Sequence, residues 1–245
     1  MDVRADAVAA AVNDVAQVLA DHGEALDLAH RLVHHCARLL SASAVGLVVE
    51  DGDGHLQPLA ATSDDVRGVE VVQLQTGQGP CLDAYRTGQV VSVPTAAELT
   101  ARWPEFARSA REAGVMAVHS VPVGSGGRTI GALNLFRDHE GPYSAVESDV
   151  AHAMASFGAI GLTQLEHVAE GARVRAQLQE ALDSRIVLEQ AKGALAERYR
   201  CHPDEAFQRL RARARAERRR LRDVAQEIVD DLDPVDGVLR RAGQA

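Results

Sequence analysis

Hydrophobic side chains in the first 40 residues recur every three or four positions. This spacing is typical of an amphipathic helix, because residues three and four apart lie on the same side of it. Gly23 interrupts the pattern. We therefore predict two helical pieces within residues 1–40.

From residue 44 the pattern changes to short runs that are predicted to be strands, and several of them are rich in β-branched residues. Six such runs lie before residue 139, and they begin at Ala44, His55, Val69, Val90, Val115 and Thr129. Asp51–Gly54 separates the first two runs and Gly124–Arg128 the last two, so both pairs are predicted to form hairpins. Helices are predicted over Cys81–Arg86 and residues 97–113, since a glycine follows each. The pattern predicts an α+β domain with an antiparallel sheet and flanking helices.

A long helix is predicted to begin at Ser144. Ser144 and Glu147 have the spacing of a capping box, and no proline occurs between Pro142 and Pro203, so the helix is predicted to reach about Arg200. Alternate spacings of four and three, as in a coiled coil, place Val146, Val150, Ala153, Phe157 and Ile160 on one apolar stripe. The stripe is buried either on the sheet domain or in a homodimer, and we predict a homodimer seam.

Two short helices are predicted after the long one. Pro203 suits a first helical turn, and Asp204 and Glu205 favour a helix N-terminus. Three apolar stripes are predicted to close one small core: Leu178, Leu182, Ile186, Ala191 and Leu195; Ala206, Phe207, Leu210 and Ala214; and Leu221, Val224, Ala225, Ile228 and Val229.

These elements predict five segments along the chain. Residues 1–25 form an N-terminal helix, 26–165 the α+β domain and 166–177 a helical linker. An all-α three-helix bundle occupies residues 178–232, and residues 233–245 are a loose tail.

Charge is distributed unevenly along the chain. The formal net charge is −9, yet Arg173–Arg222 contains 14 Arg and Lys against 7 Asp and Glu, a local balance of +7. A basic end on an acidic protein indicates a polyanionic partner. The alternative is that these arginines only form a solvated helix surface.

Several classes of protein are excluded by what the sequence lacks. No apolar run is long enough to span a membrane, and residues 1–10 do not resemble a signal peptide. The three cysteines are far apart, which indicates free thiols in a cytoplasmic protein. His34 and His35 point to different sides of a helix, so no metal site is predicted. No P-loop, G-x-S-x-G or HExxH motif occurs, so we expect no enzyme activity.

The basic stretch contains three motifs in succession. They are LxxALxSRxVxExAKGxLxxR from Leu178, DEAFxxLRxxAR from Asp204 and LRDVAxxIV from Leu221. Together they resemble the ANTAR domain, an RNA-binding module of transcription antiterminators. One departure is Ala196, where that family usually has Met, and we expect it to affect packing. The resemblance implies a target of paired short RNA stem-loops, which fits a homodimer.

Candidate RNA contacts follow from side-chain chemistry. Arginine binds phosphates and stacks on unpaired bases, and an exposed tyrosine also stacks on bases. We predict a specific contact at Lys192, phosphate contacts at Arg218, Arg219 and Arg220, a stacking contact at Tyr199, and further contacts at Arg185, Arg198, Arg211 and Arg215.

Gly193 is an unfavourable residue inside the predicted helix. It costs about 1 kcal/mol relative to alanine. Either a ligand or another backbone approaches closely there, or the next helix packs tightly against it. The sequence leaves both explanations open.

The upstream domain contains GxGPCxDAxRTG at Gly77–Gly88 and GALNLF at Gly131–Phe136. These motifs resemble the GAF domain, which implies a small-molecule pocket between the sheet and its covering helices. The sequence lacks the pattern of cyclic-nucleotide-binding GAF domains, so the signal and any cofactor are not identified. Candidate pocket residues are Cys81, His119 and Asn134. Cys81 is either a redox or adduct site, since a helix N-terminus lowers a thiol pKa, or a buried small hydrophobic residue.

The leading hypothesis is a cytoplasmic sensor that binds nascent RNA stem-loops and prevents transcription termination. A small-molecule or protein signal acts through the GAF-like domain. Two alternatives stay open: a DNA-binding transcription regulator, and a dimeric protein-interaction module without a nucleic-acid role.

Overall fold

The computed structural model describes residues 3–21 and 23–231, so the predicted loose tail at 233–245 lies outside the described residues. The internal contacts divide the chain into two units, Met1–Ala169 and Glu170–Ala245. The described helices are α1 (Ala5–Ala20), α2 (Ala25–Leu39), α3 (Asp64–Thr76), α4 (Pro80–Thr87), α5 (Ala96–Arg102), α6 (Pro104–Glu112), α7 (Ala145–Tyr199), α8 (Pro203–Glu217) and α9 (Leu221–Asp230).

The first unit is built on a five-stranded antiparallel sheet, which confirms the predicted α+β class. Its strands are β1 (Ala44–Glu50), β2 (Leu56–Ala61), β3 (Val91–Val93), β4 (Ala117–Ser125) and β5 (Arg128–Arg137), in the order β2-β1-β5-β4-β3. Both predicted hairpins form. In the second, Gly126 and Gly127 have φ angles of 62° and 86°, which suit a two-residue hairpin turn.

Helices cover both faces of this sheet, because successive side chains of each strand point to opposite sides. On the first face, α1, α2 and the start of α7 share a core with Leu47, Leu133 and Leu135. On the second face, α3, α5 and α6 pack around Phe106 and Phe136.

One run predicted as a strand, Val69–Gly77, is helical and belongs to α3. Ser63 caps this helix, since its Oγ accepts a hydrogen bond from the Val66 amide at 3.4 Å, and Gly77 ends it with a φ of 68°. The strand prediction was wrong because it gave more weight to the β-branched valines than to the cap and the spacing. Buried side chains follow helical spacing at Val66, Val69, Glu70 and Gln73.

The helix predicted over residues 97–113 is divided into α5 and α6. The division is at Trp103, whose ψ of 78° is not helical. A residue that precedes proline is disfavoured in the helical conformation, and Pro104 then begins α6.

The capping box at the start of α7 is confirmed. The Glu147 amide donates to Ser144 Oγ at 3.2 Å, and the Ser144 amide donates to Glu147 Oε2 at 2.9 Å. From there α7 continues without interruption to Tyr199, close to the predicted end.

Two glycines of α7 let it pack closely on α2. A Cβ at Gly158 would lie 2.6 Å from a methyl carbon of Leu32, and one at Gly161 would lie 2.6 Å from a methyl carbon of Leu28. Close packing against α2 therefore explains the glycine at each of these two positions.

In the second unit, the end of α7 forms a three-helix core with α8 and α9. Its buried residues are Ala191, Leu195, Ala206, Leu210, Ala214, Val224, Ala225 and Ile228. The predicted contribution of Leu178, Leu182 and Ile186 is wrong, since they are 60%, 56% and 55% exposed. Leu182 precedes Ala191 by nine residues, about half a turn around the helix, so the two point in opposite directions.

Gly131 of β5 permits the close approach of β1, and we predict that Gly131→Ala destabilises the first unit. A Cβ there would lie 2.1 Å from the Val48 carbonyl oxygen, which belongs to the backbone and cannot rotate away. The expected loss is about 1–3 kcal/mol or more, measured by urea unfolding. The matched control is Gly68→Ala in α3, where a Cβ meets nothing within 4 Å and a gain of up to about 1 kcal/mol is expected. Equal midpoints for the two variants would contradict this account.

Candidate nucleic-acid interface and buried polar cluster

A cluster of polar side chains is buried on the second face of the sheet, beneath α3 and α4. Ser120 Oγ donates to Asn134 Oδ1 at 2.7 Å, and Asn134 Nδ2 donates to Glu70 Oε1 at 3.1 Å. Gln73 Oε1 accepts a hydrogen bond from the Cys81 amide at 3.0 Å. Among the described residues, Glu70 Oε2 and Gln73 Nε2 have no hydrogen-bond partner.

Burial determines the ionisation of this cluster. It raises the pKa of the Glu70 carboxyl to about 8, although the Asn134 hydrogen bond acts in the opposite direction. It also raises the pKa of the Cys81 thiol to about 12. Cys81 lies at the N-terminus of α4 but is fully buried, and desolvation outweighs the effect of the helix terminus on its thiol pKa. Of the two alternatives, the buried small hydrophobic residue is therefore the one that fits.

His119 lies on the opposite face of the sheet from Cys81 and Asn134. His119 and Ser120 are adjacent in β4, so their side chains point to opposite faces of the sheet. Asn134 pairs with Ser120 and shares its face, which leaves His119 on the other face. His119 is buried against Tyr143, with ring centroids 5.0 Å apart, and burial lowers its pKa to about 4. The three predicted pocket residues are therefore not brought together. The sequence did not indicate Glu70 or Gln73, because their helix was predicted as a strand.

In the second unit, Gly193 of α7 is exposed, whereas the side chain of its neighbour Lys192 is only 25% exposed. Lys192 is ion-paired with Glu189, and Arg185 lies two turns earlier on nearly the same side. A Cβ on Gly193 would meet nothing within 4 Å, so the explanation by tight packing of the next helix is excluded. Arg198, six residues after Lys192, is rotated from it by about 120° and does not share its side of the helix.

The predicted arginines differ in their surroundings. With the residues described, no ion pair forms at Arg185, Arg198, Arg211, Arg215, Arg218 or Arg220. Arg219 instead contacts Glu217 at 3.1 Å and also pairs with Glu227, so its guanidinium is already engaged. Arg218 ends α8 in the left-handed region, with a φ of 53°, and Arg220 directly precedes α9.

A cleft of about 450 Å³ lies among the ends of α7, α8 and α9. It contains Arg198 and Tyr199, which were predicted, together with Arg209 and Arg213, which were not. The guanidinium carbon of Arg209 lies 5.0 Å from the centre of the Tyr199 ring. Arg209 and Arg213 flank the buried Leu210 in the sequence. The sequence would indicate these two arginines as cleft residues only if the buried face of α8 were already known.

The geometry defines a class of protein: a helix-covered sheet domain followed by a basic three-helix domain. The GAF domain family matches residues 24–163, more than half of the chain, so the chain belongs to the GAF domain family. The ANTAR domain family matches residues 176–229, so the chain also carries an ANTAR domain. Both resemblances are confirmed. An ANTAR domain indicates an RNA-binding regulator of transcription antitermination, and a GAF domain indicates signal sensing.

Solved structures with the same fold have varied activities. The GAF domain of an Acinetobacter phosphoenolpyruvate-protein phosphotransferase is 13% identical, covers 66% of this chain and 97% of its own, and has a TM-score of 0.53. A free methionine-R-sulfoxide reductase from Neisseria meningitidis, in complex with its substrate, is 15% identical and has a TM-score of 0.53. The match covers 69% of this chain and 96% of the reductase chain. A phycoerythrobilin-bound GAF domain from a cyanobacterial phytochrome is 12% identical and has a TM-score of 0.51. The match covers 66% of this chain and 97% of that domain.

These similarities show the fold of the first unit alone, because a fold can carry many functions. Comparison with curated protein sequences gave no match. Within residues 3–21 and 23–231, none of the helices combines the length and the apolar composition that a membrane span requires. The same described residues contain no group of three or more His, Cys, Asp or Glu side chains placed to hold a metal ion.

The raised pKa of Glu70 predicts a specific pH dependence of stability. Below about pH 4.5 the carboxyl is protonated in both the folded and the unfolded chain, and above about pH 8 it is ionised in both. Between these values only the unfolded chain is ionised, so stability falls as the pH rises. Relative to Glu70→Gln, the free energy of unfolding of the wild type should fall by about 1.4 kcal/mol per pH unit in this window.

Urea unfolding of the two proteins at matched pH values measures this difference directly. Each titration serves as the control for the other, because all remaining ionisable groups are the same. Parallel stability curves from pH 4.5 to 8 would show that Glu70 is not held protonated.

Proposed function

We propose that this chain binds nascent RNA stem-loops through its ANTAR domain and thereby prevents transcription termination. A small-molecule or protein signal received by the GAF domain controls this binding. The observation that carries the proposal is the bare helix surface at Gly193, next to Lys192 and inside a stretch with a charge balance of +7.

Packing against the described residues does not explain the glycine at position 193. Gly158 and Gly161 are matched by methyl groups of α2, whereas a Cβ on Gly193 would meet open space. A mid-helix glycine costs about 1 kcal/mol, and close approach of an RNA backbone offsets this cost. Lys192 and Arg185, on the adjoining side, supply positive charge for phosphates.

Further contacts are proposed at the arginines that have no ion pair with described residues. Arg218 and Arg220 lie in the connection between α8 and α9, where both guanidinium groups are exposed. Arg211 lies over the Phe207 ring at 4.9 Å, and Arg215 follows it one turn later. We assign phosphate contacts to these four arginines, and a secondary role to Arg219.

Control by a signal requires two states of the protein with different affinities for that signal. We propose that residues 26–165 receive the signal, that residues 166–177 transmit it along α7, and that residues 178–232 bind RNA. The proposed setting is the cytoplasm. The unbroken helix through the linker supports transmission, since α7 is continuous from Ala145 to Tyr199.

Gly193→Ala should change stability and RNA binding in opposite directions. The added methyl group favours the helix by about 0.5–1 kcal/mol but lies where the RNA approaches. A clash of about 1–3 kcal/mol corresponds to a roughly 5- to 150-fold loss of affinity for a double-hairpin RNA, measured by gel shift at fixed salt.

The matched control is Gly171→Ala in the same helix, where a Cβ also meets nothing within 4 Å. It should gain similar stability and keep wild-type RNA affinity. Unchanged RNA binding by Gly193→Ala would contradict the proposed surface. Equal or tighter binding of duplex DNA by the wild type would favour the DNA-binding alternative, and binding of neither would favour the protein-interaction module.

A homodimer is proposed through the exposed side of α7 in the first unit. Val146 and Ile160 are 57% and 54% exposed, whereas Phe157 packs partly against the core and is a poor test position. Ile160→Glu is expected to shift the protein from dimer to monomer in sedimentation equilibrium, because a charge cannot be buried in an apolar seam. The control is His152→Glu, an exposed position outside the seam. An unchanged dimer in Ile160→Glu would refute the seam.

A further inference from the structure

We propose that the cleft among the ends of α7, α8 and α9 binds one unpaired base of the RNA loop, stacked against Tyr199. This inference rests on the proposed function and identifies a base-recognition site within it. Leu195, Leu210 and Ile228 lie along the cleft and are nearly or fully buried. Its volume of about 450 Å³ is within the roughly 300–1,000 Å³ of sites that hold small molecules.

Tyr199 is placed to stack on a base. It is the last residue of α7, and its side chain is 51% exposed beside an apolar floor. The guanidinium of Arg209 lies over its ring, and Arg209 is held by Glu205 at 2.8 Å. An exposed aromatic ring with an adjacent planar guanidinium is a typical surface for an unpaired base.

The charges inside the cleft favour a neutral planar group over a phosphate. Two carboxylates, Glu227 and Asp231, line the cleft together with three arginines. Arg213 is neutralised by Glu217 at 2.7 Å and by Glu227. A phosphate would meet these carboxylates, whereas a base offers amino groups to the carboxylates and ring acceptors to the guanidinium groups.

Arginines at the mouth of the cleft suit the phosphates on either side of that base. Arg198 forms no ion pair with any described residue and lies at the cleft edge. Arg200 follows Tyr199 with a φ of 48°, in the left-handed region where a helix end favours glycine. Arg200 is exposed and directly follows Tyr199, which lines the cleft.

The test uses the full-length protein and a double-hairpin RNA selected by the wild type from a library with randomised loops. Tyr199→Ala should weaken binding of that RNA by about 5- to 150-fold, since stacking contributes about 1–3 kcal/mol per base. Tyr199→Phe, which keeps the ring, should bind within about threefold of the wild type. Circular dichroism checks that the exposed position leaves the fold intact.

Abasic substitutions at each loop position then locate the base. At one position, the abasic RNA should bind the wild type and Tyr199→Ala equally, because both changes remove the same contact. If Tyr199→Ala binds the selected RNA as tightly as the wild type, the base-binding cleft is overturned while RNA binding stands. The base-binding cleft is also overturned if Tyr199→Ala binds every abasic RNA more weakly than the wild type by the same factor. Failure of the wild type to select any RNA would instead overturn the proposed function.

Discussion

The buried ion pair between Arg137 and Glu147 connects the sheet to the helix on which both domains depend. The two side chains meet at 2.7 Å with exposures of only 8% and 10%. Arg137 also donates to the carbonyls of Ser41 and Pro142 and lies 3.7 Å from the centre of the Tyr143 ring. Removing one partner of such a pair typically costs about 3–5 kcal/mol, because the other charge remains buried.

Glu147 has two roles at this point. Burial alone would raise its pKa, but the hydrogen bonds from Ser144 and the charge of Arg137 outweigh burial and hold the pKa below its usual value. The carboxylate therefore caps α7 and neutralises the arginine of β5 at the same time. The ion pair holds the first turn of α7 against β5, so a movement of β5 would move that turn with it.

Most of this architecture could be predicted from local signals in the sequence. The capping box, the hairpin glycines and Pro203 act within a few residues of themselves, so the sequence alone indicates their effects. The misassigned α3 also carried local signals, in Ser63 and the spacing of its buried residues, but the valines suggested a strand.

The composition of the sites could not be predicted, because it depends on contacts between distant residues. His119 and Ser120 are neighbours in sequence, yet only the pairing of Ser120 with Asn134 decides which of them faces the polar cluster. Likewise, Leu182 and Ala191 lie on two apolar stripes on opposite sides of α7. Only the position of α8 and α9 decides which of the two stripes is buried. Helical spacing fixes the relative directions of side chains but not which direction faces the core.

The polar cluster under α3 connects the physics of the GAF domain to the proposed control by a signal. Glu70 Oε2 and Gln73 Nε2 have no partner among the described residues, and each unmet buried group costs about 1–3 kcal/mol. This cost lowers the stability of the observed arrangement relative to any state that satisfies both groups. A signal needs only to exceed the remaining free-energy difference in order to shift the population. Within the proposed control by a signal, a second state in which Glu70 Oε2 and Gln73 Nε2 both find partners would therefore be favoured by those new hydrogen bonds.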